Sequence, residues 1–129
     1  MSQSVTVDSD VEIPQENDAD LVSVRLVQDG AVHIAYGIAL LIDDKPVDPP
    51  VASWPHSKPG EVYFVATGLA LRGLKMDCYG RVYLAGDDTT KLHCDFLVDD
   101  TVVATSATAE IKLSSSSSSR EFHIRSHFV

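Results

Sequence analysis

The sequence predicts an all-β protein, an antiparallel β-sandwich of about eight strands, with a small β-barrel as the rival closure. Three observations predict it. Apolar side chains recur at every second position along most of the 129 residues, the period of a half-buried strand whose successive side chains point to opposite faces. Turn-forming Gly, Pro, Asp and Ser punctuate that pattern at short intervals. No segment makes a convincing long helix. A chain of this length buries roughly two thirds of its unfolded surface around one core, so residues 1–129 are expected to form a single domain.

The elements follow in order. In residues 3–13, Val5, Val7, Val11 and Ile13 face one way, while Thr6, Asp8, Asp10 and Glu12 face the other. Pro14 through Asp20 is a polar loop. Val22, Val24 and Leu26 then alternate up to Asp29-Gly30, a dipeptide suited to the tight turn of a hairpin. The expected return strand carries Val32, Ile34, Tyr36, Ile38, Leu40 and Ile42 at every second position. A helix there is rejected, because the β-branched residues keep one parity and Gly37 in mid-helix costs about 1 kcal/mol. Residues 43–60 hold Pro46, Pro49, Pro50, Pro55 and Pro59 together with the single tryptophan, Trp54, and are expected to be an irregular loop.

Glu61–Thr67 reads as a short strand, and Leu69–Leu84 as one or two more, with Gly73 and Gly80 as bulges or bends. Gly86-Asp87-Asp88 is expected to turn the chain into residues 92–113, two strands folded back on each other about Asp99-Asp100. Leu92, Cys94, Phe96 and Val98 share one face, as do Val103, Thr105, Ala107, Ala109, Ile111 and Leu113. A Ser-rich loop covers 114–119. Glu121–Val129 forms the last strand, with Phe122, Ile124 and Phe128 on one face and His123, Arg125 and His127 on the other.

Charge narrows the function. The net charge is −9, with ten basic residues against nineteen acidic ones and no two basics adjacent. Nucleic acids and anionic membranes are both bound through clustered Lys and Arg, so neither is an expected partner. A basic protein would be steered towards this acidity. No apolar run approaches the ~18 residues of a membrane-spanning helix. The start, MSQSVTVDSDVEI, lacks the basic and apolar regions of a secretory signal. A cytoplasmic location is therefore expected, with export by a route lacking a visible signal as the alternative.

Few residues advertise chemistry. Trp54, with His56 and Lys58 beside it, is the candidate binding surface: a stiffened loop that presents an amphipathic ring loses little entropy on contact, although the same ring could fold back to plug the sandwich. His123 and His127 lie roughly 13 Å apart at a strand rise of ~3.3 Å per residue, too far to share one zinc ion. Asp43-Asp44, Asp87-Asp88 and Asp99-Asp100 raise calcium, and simple alternation of strands would gather Glu16, Asp18, Asp20, Asp43, Asp48, Asp87 and Asp88 at one end. Aspartate is also a common turn residue, and there is no EF-hand spacing. No cofactor or metal is expected.

Cys78 and Cys94 fall on apolar parities, where a thiol is inert. The expected hairpin about 86–88 would set them opposite or diagonal, close enough to bond, yet a reducing cytosol favours two buried free thiols. No nucleophile elbow or phosphate-cradling glycine loop occurs.

The reading is a non-catalytic protein-binding or self-assembly module, acting on a protein partner, on itself as a homo-oligomer, or on a basic protein. Phe122, Ile124 and Phe128 of the last strand are the expected interface, since an edge strand invites pairing. The alternative is a lectin-like carbohydrate-binding module using Trp54, with or without calcium. A small hydrolase ranks last.

Overall fold

The computed structural model describes residues 4–29, 34–47, 62–83, 88–113 and 119–129. Two five-stranded sheets face each other. The first runs β1 (Ser4–Val11), β10 (Ser119–Phe128), β6 (Lys75–Tyr83), β3 (Ile34–Ile42) and β4 (Lys45–Pro46); β1 is parallel to β10 and the other pairs are antiparallel. The second runs β5 (Val62–Leu69), β2 (Val22–Asp29), β7 (Asp88–Val98) and β8 (Thr101–Thr105). β9 (Ala109–Leu113) continues the β8 edge along the first half of β7. One 3-10 turn, Gln15–Asn17, interrupts the first loop. The all-β sandwich read from the sequence is the observed fold.

The alternating parities form one apolar cluster between the sheets. Val11, Ile13, Val22, Val24, Leu26, Leu40, Leu92, Cys94, Phe96, Phe122 and Ile124 are all buried in it. Phe96 and Phe128 meet edge to face, centroids 4.9 Å apart, joining β7 of one sheet to β10 of the other.

The connections differ from expectation more than the strands do. Asp43-Asp44 and Asp99-Asp100 close two-residue hairpins, β3–β4 and β7–β8, with φ of 49° and 65° in the first and 49° and 64° in the second. Two left-handed residues in succession match the right-handed twist of the flanking strands, and aspartate tolerates that region better than most. Asp29-Gly30 does not make a hairpin. β2 lies in the second sheet and β3 in the first, so the chain crosses the sandwich there. The expected hairpin about 86–88 is corrected in the same way, because β6 and β7 belong to opposite sheets. Parity tells which residues face the core, not which sheet carries them.

Three local corrections follow. The strand expected over 103–113 is two strands: Val103 bulges out of register, Ala104 rather than Val103 packs against the core, and the segment between β8 and β9 is pinned by Ser106. The Ser106 hydroxyl accepts from Cys94 N at 2.8 Å, and Ser106 N donates to Cys94 O at 2.8 Å. Gly80 lies within β6 opposite Phe122, and the irregularity expected there is carried by the neighbouring β3, whose register shifts between Tyr36 and Ala39. The loops expected at 43–60 and 114–119 are also shorter at their described ends, since Lys45–Pro46 forms β4 and Ser119 opens β10. Pro46 sits on an edge strand, where a missing N–H is tolerated.

Candidate functional site

The outward face of the first sheet carries the most organised chemistry among the described residues. Its cross-strand rows read Thr6, His123, Tyr79, Ala39 and then Asp8, Arg125, Asp77, Leu41 from β1 through β10 and β6 to β3. The sequence places polar residues there because the inward parity of β6 and β10 is taken by Met76, Cys78, Val82, Phe122, Ile124 and Phe128.

Asp77 is the hub. Its side chain is only 2% exposed although it points away from the core. His123 Nε2 lies 2.6 Å from Asp77 Oδ1, and Arg125 Nε donates to the same oxygen at 2.7 Å. Burial alone pushes the Asp77 carboxyl up. The hydrogen bonds and charges of Arg125 and His123 outweigh it and hold the group below the usual carboxylate range. Asp77 in turn raises the Arg125 guanidinium above its ordinary value. Tyr79 stacks on His123, ring centroids 4.1 Å apart and planes inclined by 17°, and remains 39% exposed.

Pairs flank this hub. Arg81 donates to Glu121 at 2.6 Å, His127 Nε2 lies 3.0 Å from Asp8 Oδ1, and Lys75 Nζ reaches Asp44 at 3.2 Å. The result is a mosaic of alternating charge around one exposed ring, with a buried carboxylate at its centre. A smaller version occurs on the second sheet, where Asp95 takes Arg25 at 2.7 Å and His93 at 3.0 Å. The two hubs, Asp77 and Asp95, are chain neighbours of Cys78 and Cys94.

Those cysteines are free and buried, one on each sheet, facing into the core. The Cys78 thiol beside it, and then burial, push Cys94 well above the ordinary thiol range. They are neighbours across the sandwich, not along the expected hairpin.

Phe122, Ile124 and Phe128 are 1%, 0% and 3% exposed, in the chain's own core. β10 lies between β1 and β6, so its inward face is already covered and cannot supply the expected interface. Trp54, His56 and Lys58 lie outside the described residues. The acidic loops partly redistribute. Glu16, Asp18, Asp20 and Asp43 share one end with Asp99 and Asp100, whereas Asp88 pairs with Leu113 at the far end of β7. Asp48 and Asp87 are outside the described residues. At that shared end Arg72 pairs with Asp18 and donates to Ile13 O, and Asp43 Oδ1 accepts from Lys75 N at 2.9 Å. No group of three or more His, Cys, Asp or Glu that could hold a metal ion occurs among the described residues. Between the β4 and β5 edges, Ile42, Lys45, Pro46, Val47, Thr67 and Leu69 line an apolar cleft of about 250 Å³. No helix among the described residues is long and apolar enough to cross a membrane.

Asp77 and Tyr79 were not singled out by the sequence. Lys75, Asp77, Tyr79 and Arg81 do alternate with apolar residues, but their partners on β10 lie forty or more residues away, and only the pairing of β6 with β10 reveals the cluster.

No family model matches the chain, and no match is found among curated proteins. Among solved structures it is similar to the crystal structure of a domain of unknown function, DUF4425, from Bacteroides vulgatus ATCC 8482, at 14% identity and a TM-score of 0.47, over 87% of this chain and 98% of that one. A likeness at this level says nothing of what either chain does.

Proposed function

We propose that the chain is a non-catalytic protein-binding module whose contact surface is the outward face of the first sheet, centred on Tyr79, His123 and Arg125. The observation that carries the reading is the buried carboxylate of Asp77 beneath that face. A desolvated charge cluster is a poor way to gain stability, but it holds Arg125 and the Tyr79–His123 stack in one geometry. Tyr and Arg are residue types that dominate binding energies, and side chains fixed in advance lose little freedom on contact. Capture of proteins by the wild type and by a Tyr79→Ala/Arg125→Ala double variant tests it. Partners held by the wild type and lost by the folded variant support the reading; equal capture by both removes it.

A second reading is favoured by the same exposed ring. An aromatic face bordered by charged hydrogen-bonding groups also suits a sugar, so Tyr79 takes the place given earlier to Trp54 in the lectin-like alternative. Glycan-array binding that disappears with Tyr79→Ala would select it.

A further inference from the structure

Two nucleophilic groups in the core take no part in the proposed contact surface. Cys78 lies on β6, flanked within its sheet by Ile124 of β10 and Leu40 of β3. Cys94 lies on β7, flanked by Leu26 of β2 on one side. On its other side the Ser106 hydroxyl accepts from its N–H and the Ser106 N–H donates to its carbonyl, both at 2.8 Å. Both side chains are 0% exposed and face inward from opposite sheets, and the two thiols are in hydrogen-bond contact. The chain has two cysteines, so each is the other's single possible partner within it. Sheets of a sandwich lie about 10 Å apart on average, further than the ~4.4–6.8 Å between bonded Cα atoms. Thiols in contact have already spanned that gap, and turning about χ1 brings the sulfurs towards the ~2.05 Å of a bond. Antibody domains close an inter-sheet bond through their cores in the same way.

We propose that Cys78 and Cys94 are a disulfide site that ties the first sheet to the second, closed when the chain folds in an oxidising solution and left open when it folds in a reducing one. The timing follows from burial. Exchange needs a thiolate and an accessible sulfur. In the folded core Cys94 is held protonated by Cys78 and by burial, and neither sulfur meets solvent. In the open chain both thiols are wet and reactive. There the thiolate of one cysteine attacks glutathione disulfide and expels a glutathione thiolate, leaving a mixed disulfide. The second thiolate attacks the protein sulfur of that bond and expels the other glutathione. Two protein thiols are oxidised, one glutathione disulfide is reduced to two thiols, and the protons lost by the cysteines end on the leaving groups. Once the sandwich closes, the same burial shields the bond from reductant, so the state set during folding persists. The bond closes a loop over residues 79–93. Cross-linking a loop of about 15 residues restricts the unfolded chain enough to raise the melting temperature by roughly 10 °C. It also ties together the backbone beside Asp77 and Asp95, which anchor the charge clusters on the two outer faces.

Refolding the reduced chain from denaturant, in excess reductant or in a mixture of reduced and oxidised glutathione, tests the site. The oxidising arm should give a folded chain in which denaturant uncovers no thiol, and a proteolytic map made without reductant should join Cys78 to Cys94. Its melting temperature should exceed that of the reduced arm by roughly 10 °C. Cys78→Ala cannot form the bond and should melt alike from both arms. Should that variant fail to fold, the two wild-type forms, differing in the bond alone, carry the comparison. Reduced protein that is already folded should lose its thiols in the glutathione mixture at the rate of global unfolding, faster as urea is added. A folded product of the oxidising arm with both thiols free overturns the inference. So do cysteines bonded between chains or capped by glutathione, and so does an intramolecular bond that fails to raise the melting temperature. Oxidation of the folded protein as fast as that of the unfolded chain overturns its timing.

Discussion

Phe122 fills the space that a side chain on Gly80 would need. The two are opposite partners in the β10–β6 ladder, and a Cβ on Gly80 would stand 2.6 Å from Phe122 Cζ and 2.8 Å from Cε1. The ring is 1% exposed and boxed in by the core, so it has little room to yield. Gly80→Ala should therefore destabilise the protein by about 1–3 kcal/mol, the usual penalty of overpacking. Combining it with Phe122→Leu should give a double variant more stable than the sum of the two losses. Urea unfolding of the four proteins in the cycle measures both effects.

Asp77→Asn should cost roughly 1–3 kcal/mol near neutral pH, because it weakens hydrogen bonds from a charged donor and leaves Arg125 without its counter-charge. The pH dependence has a definite sign. The folded carboxyl is held below the usual carboxylate range, so its contribution is fully present above that range and is lost as pH falls through the lower folded value. The stability gap between wild type and Asp77→Asn should narrow below about pH 4, as the carboxyl takes up its proton. Denaturant melts at several pH values follow it.

Ser126 sits on the inward parity of β10 at 0% exposure, and its hydroxyl has no hydrogen-bond partner among the described residues. An unsatisfied buried hydroxyl costs about 1–3 kcal/mol. Ser126→Ala should accordingly be neutral or stabilising by up to about 1 kcal/mol, the reverse of the usual core substitution. A lowered melting temperature would show that the hydroxyl is paired in solution.

Thiol titration reads the paired cysteines. Both are buried, and Cys94 is kept protonated by its neighbour and by burial. In denaturant both should react at once. In native protein at pH 8, reaction should be slower by at least about a hundredfold, because it must wait for the core to open. Rapid native labelling of either thiol would place it outside the sandwich.

Much of the fold was legible because a period of two marks a core-facing strand whatever its partner. Val5, Val7, Val11 and Ile13, then Leu92, Cys94 and Phe96, then Phe122, Ile124 and Phe128 all face the core as their parity required. The Asp99-Asp100 turn was legible for a local reason, that aspartate tolerates left-handed backbone. Pairing across long stretches of chain was not. Asp29-Gly30 has the chemistry of a hairpin, yet the next strand can satisfy its apolar face equally well in the opposite sheet, and it does. The site was hidden for the same reason. Asp77 meets His123 and Arg125 only because β10 enters between β1 and β6, and nothing in residues 75–83 announces that neighbour. Val103 shows a third limit, for one bulged residue puts Ala104 rather than Val103 against the core, contrary to the parity read along the strand.

The central claim, that the outward face of the first sheet is the contact surface, is tested most directly by site-specific photocross-linking. A photoreactive phenylalanine analogue is placed at Tyr79 on that face, and in a separate protein at Lys112, exposed on the second sheet. Illumination in the protein's native cell should give discrete protein adducts from position 79 and none of them from position 112. Adducts from position 112 alone, or the same adducts from both positions, would contradict the account.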